Sequence, residues 1–499
     1  MNPNGLFLAI DQSTSSTKAM LFTPDGKLLD QEWLSHGQIY PSAGWVEHDA
    51  EGIFSNTLIT TSTLLQRHTD QWRNLLAVSI TNQRETFVLF DRETGQPLYN
   101  AIVWQCRRGD DFCKQLVSAG NENIVHELTG LKIDTYFPAS KLRWLLVARP
   151  DFRAKLKDGS AFFGTIDTYL IYRLTGGKVY ATDHTNASRT LFYDIEKLGW
   201  SQELCNIFGL EFGELPDVRE SSAWYGDTDL GGCLNRRIPI CGVMGDSQAA
   251  LFAQRCFVPG GAKVTFGTGS SVLLNIGHEK RLSARGTVTA LAWVLQGQPT
   301  YAFEGIINFT GATISWMRDQ LQLIANPAET EALAQSVSDS DGVYFVPAFV
   351  GLSAPYWRAD ARAAILGMTP STTRAHVVRA ALESIGYIVT DVLKAMGEEA
   401  GVKLGTIHAD GGAVRNAFLM QFVADMNQLK VRAAQTPELS VLGAVFNGCL
   451  GLKIYTSLDD LKNLPSGFTE YRSSMSPACA SELFVGWQAA VQQVLYQPK

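Results

Sequence analysis

The chain has 499 residues, 45% apolar and 18% charged, with a formal net charge of −7. That length exceeds one ordinary core and points to two large domains, and the modest, dispersed negative charge gives no support to binding of nucleic acid or a membrane surface. The opening MNPNGLFLAID has neither a basic region nor a long apolar core, no stretch offers ~18 uninterrupted apolar residues, and the eight cysteines include no C-x-x-C pair, so we expect a cytoplasmic protein with reduced thiols and neither a secretory signal nor a membrane span.

In chain order, residues 6–10 form an apolar strand running into Asp11-Gln12-Ser13-Thr14-Ser15-Ser16-Thr17-Lys18. Residues 19–23 form a second strand and 27–33 a third, after the turn Pro24-Asp25-Gly26. The first turn sets a run of hydroxyls between an acid and a cation, a composition suited to phosphate; a polar hairpin loop is the plain alternative. Residues 53–67 read as a helix with Asp49 as N-cap. Residues 75–80 read as a strand ending in Thr81-Asn82-Gln83-Arg84-Glu85-Thr86. The adjacent Arg84 and Glu85 are either an exposed surface pair of little worth or the donors and acceptors that a polyol needs. Residues 102–104 form another strand, Tyr136-Phe137-Pro138 leads into a helix from about Leu142, and TDHTNAS at 182–188 reads as a polar connector.

The chain is organised around residues 238–271. Strand 238–244 ends at Gly245-Asp246, which puts a carboxylate at the C-terminal mouth of a strand, where α/β sheets bind ligands. Helix 248–254 follows, then strand 264–266 and the turn Gly267-Thr268-Gly269-Ser270-Ser271. A carboxylate close to a glycine- and hydroxyl-bearing turn suggests phosphoryl transfer, the first taking a proton from an attacking hydroxyl and the second holding phosphate. An acidic turn followed by a glycine hairpin is the plain alternative. Strand, hydroxyl-rich turn and strand open each half of the chain, which implies two similar domains. Further on, 310–323, 329–336 and 374–400 are helical. Strand 406–409 ends in Asp410-Gly411-Gly412-Ala413, a turn on which a nucleotide can lie against backbone, and helix 416–427 follows. The helix at 440–450, with Gly443, Ala444 and Gly448, reads equally as a hinge between domains or as close packing within one.

Taken together, the stretches GWVEHD at 44–49, ITNQRET at 80–86, YNAIVWQCRR at 99–108, YFPASKLRW at 136–144, TDHTNASRT at 182–190, QAALF at 248–252 and DGGAVRNAFLMQF at 410–422 resemble the FGGY carbohydrate kinases, and within them the glycerol kinases. The resemblance covers nearly the whole chain. It implies an α/β fold of two actin-like (ribonuclease H-like) domains, 1–253 and 254–499, with a catalytic cleft between them. It implies ATP-dependent transfer of the γ-phosphoryl group to a primary hydroxyl of glycerol or a slightly longer polyol. A ketopentose kinase of the same family and a non-catalytic actin-like nucleotide-dependent module are the alternatives. Carried over to this sequence, Asp246 is the general base. Arg84, Glu85, Tyr136 and Asp246 bind the polyol, Trp104 is an apolar wall, and Ser247 and Ser271 lie beside the substrate. Thr14, Ser15, Ser16 and Lys18 form the first phosphate loop and Thr268 belongs to the second. Gly311, Ser315, Gly412 and Asn416 contact ATP, and Asp11 and Asp246 hold Mg2+. The implied partner is a small polyol or sugar, with no nucleic acid and no membrane, and relatives of this kind are often homodimers or homotetramers.

Four positions depart from the glycerol kinase pattern. Ser247 stands where Gln is usual, Ser271 where Phe is usual, Ser13 where Gly is usual and Ser315 where Gln often meets adenine. The first two shrink side chains beside the substrate and predict a longer, more polar pocket, favouring a four- or five-carbon acceptor. The loop at 229–237 lacks the glycine-rich pattern associated with sugar-bisphosphate inhibition and contains no His, so no control of that kind is expected.

Overall fold

Residues 6–12 read LFLAIDQ without alternation, and all are buried, as in a strand covered on both faces. The structure is a computed structural model describing residues 5–352, 354–358, 360–436 and 438–496; residues 1–4 of the opening stretch lie outside it. The chain divides into two units by internal contacts, one formed by Met1–Arg255, Thr289–Tyr301 and Glu438–Pro465, the other by Cys256–Val288, Ala302–Pro437 and Ser466–Lys499.

In the first unit, Leu6–Gln12, Ser16–Phe22 and Leu28–Ser35 form an antiparallel meander. Leu75–Asn82 then adds parallel to Leu6–Gln12, and Ile238–Gly245 adds parallel to Leu75–Asn82. Trp224–Thr228 closes that edge antiparallel. Numbered from the meander, the five principal strands lie in the order 3-2-1-4-5. A small sheet of Glu47–His48, Ala101–Ile102, Phe87–Asp91 and Ala161–Thr165 carries the loops that follow Ile102 and Asn82. The core joins the sheet residues Leu8, Ile10, Val78, Ile80 and Val243 to Ile53 and Leu64 of helix Ala50–Gln66 and to Leu170 and Leu174 of helix Ile166–Leu174.

The second unit repeats this plan. Gln298–Ile307, Ser270–Gly277, Ala262–Phe266, Ile407–Asp410 and Val431–Ala434 lie side by side in that order, the last two added in parallel, with Val288–Leu295 at the outer edge beside Gln298–Ile307; with that edge strand set aside, the order is again 3-2-1-4-5. The repeat inferred from two hydroxyl-rich turns is therefore a repeat of topology, and in each unit the turn joins strands 1 and 2. The long helix Arg374–Ala400 starts in a capping box of Thr373 with His376 and stops at Gly401, whose left-handed φ of +63° glycine adopts at no steric cost.

Helix Leu439–Gly451 belongs to the first unit, packed on helix Asp246–Ala253 and strand Ile238–Gly245. A Cβ on Gly443 would lie 1.9 Å from the Ala249 carbonyl oxygen, and one on Gly448 2.7 Å from that of Cys241. The close packing that one reading of this stretch expects is present, and it is made with the first unit. The eight cysteines are all free, six of them buried. Among the described residues no helix is long and apolar enough to cross a membrane.

Candidate active site

The strand ends of the first unit gather most of the polar side chains singled out in the sequence. Helix Asp246–Ala253 starts at Asp246 itself, two residues earlier than its sequence suggests. The Asp246 carboxylate, 42% exposed, accepts from the backbone N–H of Ser247 and lies 3.1 Å from Nε of Arg84. Ser247 is half-buried on the same turn.

Arg84 and Glu85 are not an exposed pair; both are buried. Arg84 donates from Nη1 to Oε1 of Gln248 at 3.0 Å, and Gln248 in turn donates to the Leu291 carbonyl. Glu85 Oε1 lies 3.7 Å from Arg84 Nε and accepts from Arg189 Nε at 2.7 Å. Gly245 gives this arrangement its room, since a Cβ there would stand 2.6 Å from Cγ of Arg84.

The turn after Leu6–Gln12 is closed by Ser13, whose hydroxyl donates to the Ser16 carbonyl and accepts from the Ser16 N–H. The departure from Gly at this position thus supplies the bonds that hold the loop shut. Thr14 accepts from the indole N–H of Trp104 at 3.0 Å, and the Trp104 and Tyr136 rings meet at 5.3 Å and 56°. The phosphate-loop candidate and the apolar-wall candidate are therefore joined directly. Trp104 lies just past strand Ala101–Ile102 rather than within it. Ser15 is exposed and Ser16 begins the second strand. Lys18 is engaged by both carboxylate oxygens of Glu438, at 3.0 and 2.9 Å, and stands 3.8 Å from Asp11. Burial drives the Asp11 carboxyl up to about 7; Lys18 opposes this, and the negative charges of Glu438 and Asp246 add to it. Among the described residues no group of three or more His, Cys, Asp and Glu is placed to hold a metal. Asp11 and Asp246, within electrostatic reach of each other, match the lesser demand of a magnesium ion that keeps waters and binds phosphate oxygens.

TDHTNAS is not a connector but a buried strand and helical turn, Ala181–Asp183 and His184–Ala187. The Asp183 carboxylate accepts from the Thr185 and Asn186 amides and from the hydroxyls of Thr185 and Ser221. Thr185 Oγ1 accepts from the Gly245 N–H, and Asn186 and Asn82 exchange side-chain bonds. This lattice braces the two strand ends that carry Arg84 and Asp246. Asp183, Arg189, Gln248 and Glu438 were not picked out in the sequence as site residues. Only the run of hydroxyls and amides around Asp183 could have signalled them.

In the second unit, the turn Gly267-Thr268-Gly269 lies against residues 307–312. Gly311 and Ala312 amides donate to the Gly267 and Thr268 carbonyls, and Ser270 bonds to Thr310 at 2.9 Å. A Cβ on Gly311 would meet the Gly267 oxygen at 2.7 Å and one on Gly269 the Ile307 oxygen at 2.4 Å, so both glycines permit close backbone approach. Ser315 is half-buried in helix Gly311–Asp319. Gly412 is exposed and meets nothing within 4 Å, the open backbone surface on which a flat base can rest. Asn416 caps helix Ala417–Asn427 by accepting from the Leu419 N–H, and donates to Thr330. Ser271 is half-buried, and among the described residues its hydroxyl has no hydrogen-bond partner.

Comparison with known proteins bears on what these residues do. Residues 6–253 match the N-terminal domain, and 262–452 the C-terminal domain, of the FGGY family of carbohydrate kinases. The chain is 43% identical over 488 residues to a glycerol kinase of Xanthomonas campestris, covering 98% of each. It is 45% identical over 496 residues to a glycerol kinase of Symbiobacterium thermophilum, again covering 98% of each. Among solved structures it is similar to Plasmodium falciparum glycerol kinase with ADP, at a TM-score of 0.95 and 36% identity over 99% of both chains. A xylulose kinase of Lactobacillus acidophilus shares the fold, at a TM-score of 0.87 and 20% identity over 99% of both chains.

Proposed function

This chain belongs to the FGGY family of carbohydrate kinases, and from that premise we propose that it phosphorylates a primary hydroxyl of glycerol with ATP, giving glycerol 3-phosphate and ADP. The observation that carries this reading is the half-exposed Asp246 carboxylate held 3.1 Å from the buried Arg84, with Glu85 beside it. Relatives named glycerol kinase at 43–45% identity over nearly the full chain support glycerol as acceptor.

The acceptor belongs to residues 1–253 and the nucleotide chiefly to 254–499. Arg84 donates to acceptor hydroxyls and Glu85 accepts from them, while Trp104 and Tyr136 shield the carbon chain. Asp246 takes the proton as the acceptor oxygen bonds to the γ-phosphorus and the bond from that phosphorus to the β-phosphate oxygen breaks. The hydroxyls of Thr14, Ser15 and Ser16, with Lys18, bind phosphate oxygens in one turn, and Thr268 does so in the other. Lys18 exchanges Glu438 for phosphate as the nucleotide arrives. Gly311, Ser315, Gly412 and Asn416 line the nucleoside side. Asp11 and Asp246 would hold a magnesium ion, which when bound would supply charge neutralisation on the phosphates. A reaction consuming ATP, in a chain whose eight thiols are all free, fits the cytoplasm.

One observation favours a longer acceptor as a second reading. The Ser271 hydroxyl lacks a partner among the described residues, and an additional substrate hydroxyl would satisfy it. Incubating the protein with MgATP and glycerol and following the products by 31P NMR tests the main reading. Glycerol 3-phosphate and ADP should appear together. ATP persisting in the presence of glycerol would refute it.

A further inference from the structure

Lys141 has the plainest features of an ordinary core residue and one that is not. It is fully buried in the first turn of helix Pro138–Ala148, where a lone ammonium is costly unless every N–H is satisfied. Its Nζ has three donors and lies 3.2 Å from the Val103 carbonyl oxygen, 3.4 Å from that of Trp104 and 3.1 Å from that of Tyr136. No acidic side chain forms an ion pair with it among the described contacts; the charge is spread over three backbone dipoles. Two of those carbonyls belong to the residues whose rings stand 5.3 Å apart. Trp104 lies beyond the last ladder pair of its strand, so its carbonyl does not depend on a neighbouring strand for a partner.

We propose that Lys141 is a positioning residue of the acceptor pocket: its ammonium ties the Val103, Trp104 and Tyr136 carbonyls to one point and so fixes the Trp104–Tyr136 wall. The proposal rests on the reading that these two rings line the acceptor. Lys141 touches neither substrate. It acts through the backbone, and through Trp104 also on Thr14, which the indole N–H binds.

Titration gives this role a signature. Burial lowers the Lys141 ammonium to about 8, against the opposing influence of Cys106, Glu85, Asp134 and Cys113, the titratable groups that face it from the loop after Ile102, the strand end at Asn82, the loop before Tyr136 and helix Asp110–Ser118. A neutral amine keeps two N–H groups and turns a lone pair toward the third carbonyl. The wall should therefore loosen as pH rises past about 8.

The test compares wild type with K141Q and K141M in the full chain. K141Q keeps two donors and a polar end; K141M keeps only the stem. We expect KM for glycerol to rise ~10–100-fold, more in K141M than in K141Q, with KM for ATP little changed. In wild type, kcat/KM for glycerol should fall above about pH 8 while kcat/KM for ATP does not, and this break should vanish in K141M. Acrylamide quenching assigned to Trp104, by subtracting matched Trp104→Phe proteins, should be greater in K141Q. Parallel rises in both KM values, or unchanged quenching and KM, would overturn the proposal. If wild type phosphorylates no polyol, the functional reading fails on its own, and the quenching comparison still decides whether Lys141 fixes Trp104. If neither variant folds, the wild-type pH profile decides.

Discussion

Asp246 shows how a single residue takes its meaning from its neighbours. Its place at the mouth of a strand was legible from IPICGVMG followed by an acid, but its ion pair with Arg84 was not, because the partner lies in the turn after strand Leu75–Asn82, far earlier in the chain. Replacing it by Asn keeps the shape and removes the carboxylate that we propose as proton acceptor. Asp246→Asn should lower kcat by ~10²–10⁴ with KM for ATP nearly unchanged, and near-normal turnover would remove Asp246 from the role of base. Asp11 carries a second residue-scale prediction. Its folded carboxyl titrates at about 7 against an ordinary 3.8, so between those values the folded chain binds more protons than the unfolded one. Its stability must then fall as pH rises through that window. In magnesium-free buffer Asp11→Asn should raise Tm at pH 8 and make little difference at pH 4. A Tm difference independent of pH would contradict the burial that raises the Asp11 carboxyl.

At the scale of elements, apolar strands and the long helix were readable because their patterns are local: LFLAIDQ is buried throughout, and Arg374–Ala400 has the bounds its sequence suggests. TDHTNAS was misread for the opposite reason. Polar composition signals exposure only when the partners are water, and here they are Asn82, Ser221 and Gly245, distant in sequence. The close approach made by helix Leu439–Gly451 depends on neighbours that are distant in sequence. Its contact with the helix that begins at Asp246 leads to a prediction. A methyl group at Gly443 would fall 1.9 Å from the Ala249 carbonyl, so Gly443→Ala must push the two helices apart, at a cost of about 1–3 kcal/mol. Thermal unfolding should show a lower Tm, and steady-state kinetics a lower kcat, because the displaced helix carries Asp246, the base we propose. A variant with wild-type Tm would show that the helices accommodate the methyl group.

For the whole molecule, the repeated order 3-2-1-4-5 explains why both hydroxyl-rich turns could be recognised from one chain: each joins the first two strands of its unit. The family was legible for the same reason, since its motifs sit at strand ends and turns that the fold fixes. The choice of acceptor was less so, because it depends on a few side chains whose surroundings come from distant segments. Ser247 and Ser271 predict a roomier acceptor site, whereas the relatives at 43–45% identity are named glycerol kinases. Ser271→Phe separates the two influences: it should raise kcat/KM for glycerol and lower it for longer acceptors, and no change in either would dismiss Ser271 as a specificity residue. The most direct measurement is ADP release with MgATP against glycerol, erythritol, threitol, the pentitols and the ketopentoses, with kcat/KM determined for each. The account predicts robust turnover with glycerol, abolished by Asp246→Asn. No turnover on glycerol or any of the longer acceptors, from a folded protein that binds ATP, would contradict it.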